Sequence, residues 1–203
     1  MTTDKKPYPV TLRGELTMPP SRWVWIFKGL LLIPHIFVLF FLGIASWVLM
    51  VISFFSILFT GTYPKSMFDY NVGVMRWMWR VQFYGSSALG TDKYPPFSLD
   101  PDPNYPADLT IEYTEKLNNG LVLVKWLLAF PHWIILWLLN YVLEALILVT
   151  AIVLLFTGKQ LPELFKIIIG INRWMYRVQA YIMMTDQYPP FNFWEDLGIG
   201  MAV

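Results

Sequence analysis

The chain has no cysteine. That absence removes disulfides, thiolate metal sites, iron–sulfur clusters and a thiol nucleophile together. Charge is scarce too: Asp, Glu, Lys and Arg make up 14% of 203 residues, against about 25% in soluble domains. The net charge is +1, so the strongly basic footprint of a nucleic-acid partner is missing. No nucleophile elbow, glycine-rich phosphate loop, paired-carboxylate motif or zinc spacing occurs, and the expectation is a protein that is not an enzyme. The first 21 residues lack the uninterrupted apolar stretch and small-residue cleavage site of a signal peptide, so the N-terminus is expected to be retained.

Apolar and aromatic residues are abundant instead. Hydrophobic residues reach 56% and Phe, Trp and Tyr 18%, with ten tryptophans. A surplus of Trp and Tyr is what a membrane interface selects, because these rings pair an apolar body with a polar edge. The composition is that of a membrane protein.

The sequence also repeats itself. Leu58-Phe59-Thr60-Gly61 returns as Leu155-Phe156-Thr157-Gly158. Arg76-Trp77-Met78-Trp79-Arg80-Val81-Gln82-Phe83-Tyr84 returns as Arg173-Trp174-Met175-Tyr176-Arg177-Val178-Gln179-Ala180-Tyr181, both at an offset of 97. Thr91-Asp92-Lys93-Tyr94-Pro95-Pro96-Phe97 recurs as Thr185-Asp186-Gln187-Tyr188-Pro189-Pro190-Phe191, now at an offset of 94. The chain is a tandem duplication with three residues deleted in the second copy. The first copy occupies 1–98, a Pro/Asp linker 99–106, and the second copy 107–203.

Each copy holds an apolar run, 23–59 and 121–156, too long for one ordinary spanning helix of about 20 residues. Two solutions fit: one very long tilted helix, or a hairpin turning near Gly43 and its equivalent Asn140. Lys and Arg number five up to Lys28, six from residue 60 to Lys125 and four from residue 158 onward. A hairpin in each copy puts all of them on one side, cytoplasmic by the positive-inside tendency. Direct tandem copies also keep one orientation only with an even number of crossings each. The hairpin, transmembrane or re-entrant, is therefore the expectation, with Lys28 and Lys125 snorkelling toward headgroups.

After Leu-Phe-Thr-Gly each copy turns helical and amphipathic. Asp69, Gly73, Arg76 and Arg80 form one stripe, and Lys166, Gly170, Arg173 and Arg177 repeat it. Such helices are expected to lie in the interface or on their own hairpins. Before each apolar run, 8–16 and 107–113 alternate apolar and polar residues as short extended segments, which pair as a ribbon if the helices support them. The fold class expected is an all-α integral membrane protein of two repeats with short extended N-terminal segments.

Lys-Trp-Leu-Leu-Ala-Phe-Pro-His at 125–132, Leu-Phe-Thr-Gly, the Arg-Trp-x-x-Arg-Val helix and Thr-Asp-x-Tyr-Pro-Pro-Phe together resemble the bacterial membrane family catalogued as domain of unknown function 4389. The first copy departs from it, with Lys28-Gly29-Leu30-Leu31-Leu32-Ile33-Pro34-His35 in place of the Lys-Trp start. The resemblance implies a bacterial multi-pass inner-membrane protein and supplies no activity or site residues.

Three groups of residues are candidate sites. Arg76, Arg80, Arg173 and Arg177 form a two-copy cradle for lipid phosphates or an acidic partner, or alternatively pair internally with Asp92 and Asp186. His35 and His132, the only histidines, occupy equivalent positions from which two imidazoles would ligate a haem iron or another metal between the copies; the plainer reading is local hydrogen bonding, and no cofactor is expected. Glu144 is a candidate as an intramembrane carboxylate, with the plainer reading that a hairpin turning at Asn140 leaves it solvated near the far interface; its counterpart is Trp47. The function expected is an accessory or scaffolding subunit whose partners are lipids, other membrane subunits or a second copy. The alternative is a lipid or small-molecule carrier using the cleft between copies.

Overall fold

The computed structural model describes residues 8–16 and 20–192. In order they form β1 (Val10–Gly14), α1 (Val24–Leu31), α2 (Ile33–Thr60), α3 (Lys65–Tyr84), β2 (Ala107–Ile111), α4 (Leu121–Thr157) and α5 (Pro162–Met183).

The hairpin expectation is overturned. Gly43 lies inside α2 and Asn140 inside α4, both helical without a turn. A glycine in a helix costs only about 1 kcal/mol, whereas a turn in mid-run would free backbone groups amid apolar side chains. The inner face also needs continuity: Lys28, Leu32, His35, Ser46, Ser53 and Ile57 are buried along one side of α1 and α2, at the three- and four-residue spacing of a single packing seam. The one interruption falls at Leu32, ahead of Pro34, where proline removes a helical donor. α1 and α2 together cover the same positions as the 37-residue α4, about 55 Å of helix. Both α2 and α4 are long and apolar enough to cross a membrane.

The return stroke of each copy is α3 or α5. Leu-Phe-Thr-Gly ends the long helix, and Gly61 and Gly158 cap it in the left-handed conformation, φ 70° and 68°, donating to Ile57 O and Leu154 O at 2.8 Å. Only glycine adopts this cap without steric cost. A Cβ on Gly61 would also come within 2.9 Å of Asn119 Oδ1. Gly61→Ala is expected to lose about 1–2 kcal/mol, read as a lower midpoint of thermal unfolding in detergent.

α3 is more enclosed than an interfacial helix: 13 of its 20 residues are buried. It packs on α2 through Trp77 and Val81, on α5 through Trp79 against Tyr176 and Phe83 against Phe165, and on the strands through its arginine stripe. The two strands do pair, antiparallel, with Leu12 opposite Leu109, which amends the all-α expectation. Those two leucines are equivalents at the repeat offset of 97, as are Trp79 and Tyr176. A pseudo-twofold axis therefore runs through the ribbon and between α3 and α5.

The strands are exchanged across that axis. β2 of the second copy lies on α3 of the first, where Arg76 Nε donates to Leu109 O at 2.9 Å. β1 lies on α5, where Arg173 donates to Leu12 O. Symmetry recurs in Tyr105, whose hydroxyl donates to Arg80 O and Lys93 O, and in its equivalent Tyr8, which donates to Arg177 O and Gln187 O. The order of layers is long helices, then α3 and α5, then the ribbon. The outer faces of the long helices stay uncovered: Phe27, Phe37, Phe41, Phe55 and Phe59 along α1 and α2, and Leu127, Ile134, Leu138, Ile152 and Phe156 along α4, are exposed.

Candidate functional site

The repeated motifs, distant in sequence, converge into one cluster per copy at the start of each long helix. Lys28 is 1% exposed; its Nζ donates to Thr91 O at 2.6 Å and sits 2.9 Å from Asp92 Oδ1. The other oxygen of Asp92 accepts the backbone N–H of Ser21. In the second copy Lys125 meets Thr185 O at 2.9 Å and Asp186 at 2.7 Å, and Asp186 accepts the N–H of Asn118. The Thr-Asp of the closing motif thus fastens the chain to the first turn of the long helix. Lys28 and Lys125 do not snorkel outward as expected, because a carboxylate and a carbonyl wait for them inside.

A second contact fastens the same loop one turn further along. Pro34 cannot donate to Leu30 O, and at the neighbouring carbonyl, Leu31 O, the Tyr94 hydroxyl donates at 2.8 Å; Tyr188 does the same at Leu128 O, 3.1 Å. Phe97 stacks on His35 at 3.9 Å between ring centroids, and Phe191 stacks on His132 at the same separation. Trp77 Nε1 donates to His35 Nδ1 at 2.9 Å, and Trp174 Nε1 to His132 Nδ1 at 3.0 Å. Pro-His, Arg-Trp and Tyr-Pro-Pro-Phe are three faces of one aromatic clasp.

This geometry bears on metal ligation. The tryptophan N–H occupies the Nδ1 lone pair, so the neutral imidazole carries its proton on Nε2, the tautomer opposite to an Nε2 metal ligand. Each ring is also walled within its own copy by a phenylalanine and a tyrosine. Among the described residues no three or more His, Asp or Glu side chains are grouped to hold a metal ion. Trp77→Phe and Trp174→Phe would each leave a buried imidazole acceptor unmet, an expected loss of about 1–3 kcal/mol, measured as a drop in detergent-resistant folded fraction on heating.

The four arginines lie beside the ribbon, two on each side of the axis. Arg76 donates to Leu109 O and Leu99 O and pairs with Asp108 at 3.1 Å. Arg80, 0% exposed, donates to Asp100 O at 2.9 Å and pairs with Asp108 at 3.1 Å. Burial holds the Arg80 pKa below its ordinary value, with Asp108 opposing the shift only in part. Arg173 reaches the ribbon at Leu12 O, and Arg177 stands over the Tyr8 ring. The expected ion pairs to Asp92 and Asp186 are replaced: those carboxylates hold the lysines, and Asp108, on the other copy's strand, holds Arg76 and Arg80. Thr11 stands at the position equivalent to Asp108, so this pair belongs to the first copy's arginines.

Glu144 sits in mid-helix, since no turn precedes it, and Asn140 Nδ2 donates to it at 2.8 Å. It edges an open groove of about 560 Å³ between α4 and α5, lined by Trp133, Leu136, Trp137, Met175 and Gln179 among others. The equivalent groove between α2 and α3, about 530 Å³, is lined by Ile36, Leu39, Phe40, Met78 and Gln82. The grooves escape a motif search because only Leu, Met, Val and Gln recur identically in them; their signal is the two-copy offset itself.

These features define a class: a strand-exchanged tandem repeat with its polar motifs turned inward and its apolar helix faces turned outward. The chain belongs to the family of the domain of unknown function DUF4389, whose profile matches residues 22–98 and 119–193, the two copies. No curated protein and no solved structure matches it.

Proposed function

We propose that this chain is a non-catalytic protein of the bacterial inner membrane, an accessory or scaffolding subunit that docks on a larger membrane complex or on a second copy of itself. The observation that carries this reading is the inverted distribution of polarity. Polar residues of the long helices, Lys28, His35, Ser46, Ser53, Lys125, His132 and Thr150, are buried, while large apolar side chains cover the outside from end to end. Exposed apolar surface far beyond a few hundred Å² marks contact with lipid or protein. The lysines, aspartates and histidine Nδ1 atoms shared by the copies are engaged within each copy, and the apolar surface is what the protein offers. Extraction in gentle detergent followed by native mass measurement tests the role: a complex or a defined oligomer is expected, and a lone monomer under all conditions would contradict it.

The paired grooves favour a second reading, a carrier of lipid or another small apolar molecule. Each has an apolar wall and a glutamine, dimensions suited to an acyl chain. Lipid co-purifying with the native protein and lost from a Met78→Trp, Met175→Trp double variant would support it over the scaffold.

A further inference from the structure

The contacts at the ends of the long helices fix their direction relative to the pseudo-twofold axis. Arg22, just before α1, donates to Thr157 O at the end of α4 at 3.2 Å. Asn119, just before α4, donates to Leu58 O at the end of α2 at 3.1 Å. A twofold rotation leaves height along its axis unchanged, so equivalent residues share a height. If the start of one helix also lies beside the end of its mate, the start and the end of each helix are at one height. The two long helices are therefore antiparallel to each other and perpendicular to the axis.

Only two placements in a bilayer respect this geometry. With the axis in the membrane plane, each long helix crosses the membrane, in opposite directions. With the axis along the membrane normal, both lie flat. The ribbon decides between them, because it sits on the axis through Leu12 and Leu109. A crossing arrangement would hold the ribbon at the depth of the helix midpoints, in the centre of the hydrocarbon. The ribbon exposes Thr11 and Thr110 and, beside them, the charged pair of Arg13 and Glu15. Charged and polar side chains facing lipid at the bilayer centre are costly and avoided there.

Two further observations agree. Glu144 lies about 8 Å from the middle of α4 and is exposed, so crossing helices would place a carboxylate near the bilayer centre; in flat helices the same residue sits on the flank, at headgroup level. The exposed apolar face also runs the full length of about 55 Å, well beyond the roughly 30 Å of hydrocarbon that a crossing helix meets.

We infer that α1–α2 and α4 lie in the plane of one leaflet, outer faces toward the hydrocarbon, with α3, α5 and the ribbon toward water. The partner of this surface is a single bilayer leaflet. The arrangement satisfies the requirement that tandem copies share one orientation, and it does so without any crossing. It rests on the membrane reading above and specifies the mode of attachment.

The absence of cysteine makes the test direct. Ser66→Cys and Glu163→Cys place single thiols at exposed, equivalent positions at the starts of α3 and α5. Each variant is treated with a membrane-impermeant maleimide in spheroplasts and in inside-out vesicles, beside markers for each face. Flat helices predict labelling of both thiols from the same face, with at least a tenfold preference. Labelling of one thiol from each face would overturn the inference and leave the membrane reading standing. Recovery of the untreated protein in the supernatant after membranes are pelleted would overturn the membrane reading and the inference together.

Discussion

Asp108→Ala is expected to destabilise the fold by about 3–5 kcal/mol, the cost of leaving a buried charge without its partner. One carboxylate oxygen serves both Arg76 and Arg80, and Arg80 has no exposed surface. The carbonyls of Leu99 and Asp100 remain as acceptors, but they carry no charge and hold two guanidinium groups near one another. Thr11→Ala, at the equivalent place in β1, alters an exposed side chain and is expected to shift stability by no more than about 0.5 kcal/mol. Asp108→Asn keeps the shape and loses the charge, and belongs between the two. Thermal unfolding of the three variants in one detergent ranks them; equal midpoints for Asp108→Ala and Thr11→Ala would refute the role given to Asp108.

The second large effect belongs to the lysine clasps. Asp92→Ala removes the carboxylate that holds Lys28 and the N–H of Ser21, and Asp186→Ala does the same for Lys125 and Asn118. Each is expected to cost about 3 kcal/mol, the low end for breaking a buried pair, because the carboxylates themselves are near 30% exposed. Replacing both partners, Lys28→Met with Asp92→Ala, removes the stranded ammonium, so the double variant is expected to be more stable than Asp92→Ala alone. A double variant that is weaker than the single would show that Lys28 contributes mainly by other contacts.

The lysine clasp, which the snorkelling expectation passed over, nevertheless leaves a trace in the sequence that the arginine cluster does not. Lys28 and Asp92 recur as Lys125 and Asp186, so a pairing in one copy has a template in the other. Asp108 has no such echo, since Thr11 occupies its place, and it reaches the arginines only because the strands exchange across the axis. Exchange of that kind leaves no mark on periodicity. The Leu-Phe-Thr-Gly stop, the ribbon segments and the helical stripe of α3 were all visible in residue spacing. The length of the first helix was misread for a physical reason: charge counting assumed that an apolar run must cross the membrane, and a turn at Gly43 was needed to bring all charges to one side. A helix that lies flat meets the same condition without turning.

The histidines show the converse. Their duplication drew attention as a ligand pair, yet spacing alone could not say which nitrogen is occupied. Trp77 and Trp174, inside the most strongly repeated block, supply the donors. The Arg-Trp motif is thus read as two halves: arginine for the ribbon, tryptophan for the histidine on the long helix.

The central claim is that the outer faces of the two long helices lie along a leaflet. Spin labels on single cysteines at Phe27, Phe41 and Phe55, with a fourth at Thr110 on the ribbon, measure depth in proteoliposomes through relative accessibility to oxygen and to a water-soluble nickel complex. The account predicts three similar depths within the hydrocarbon for the helix positions and water exposure for Thr110. A profile deepest at Phe41 with Phe27 and Phe55 at opposite surfaces, or water exposure at all four, would contradict it.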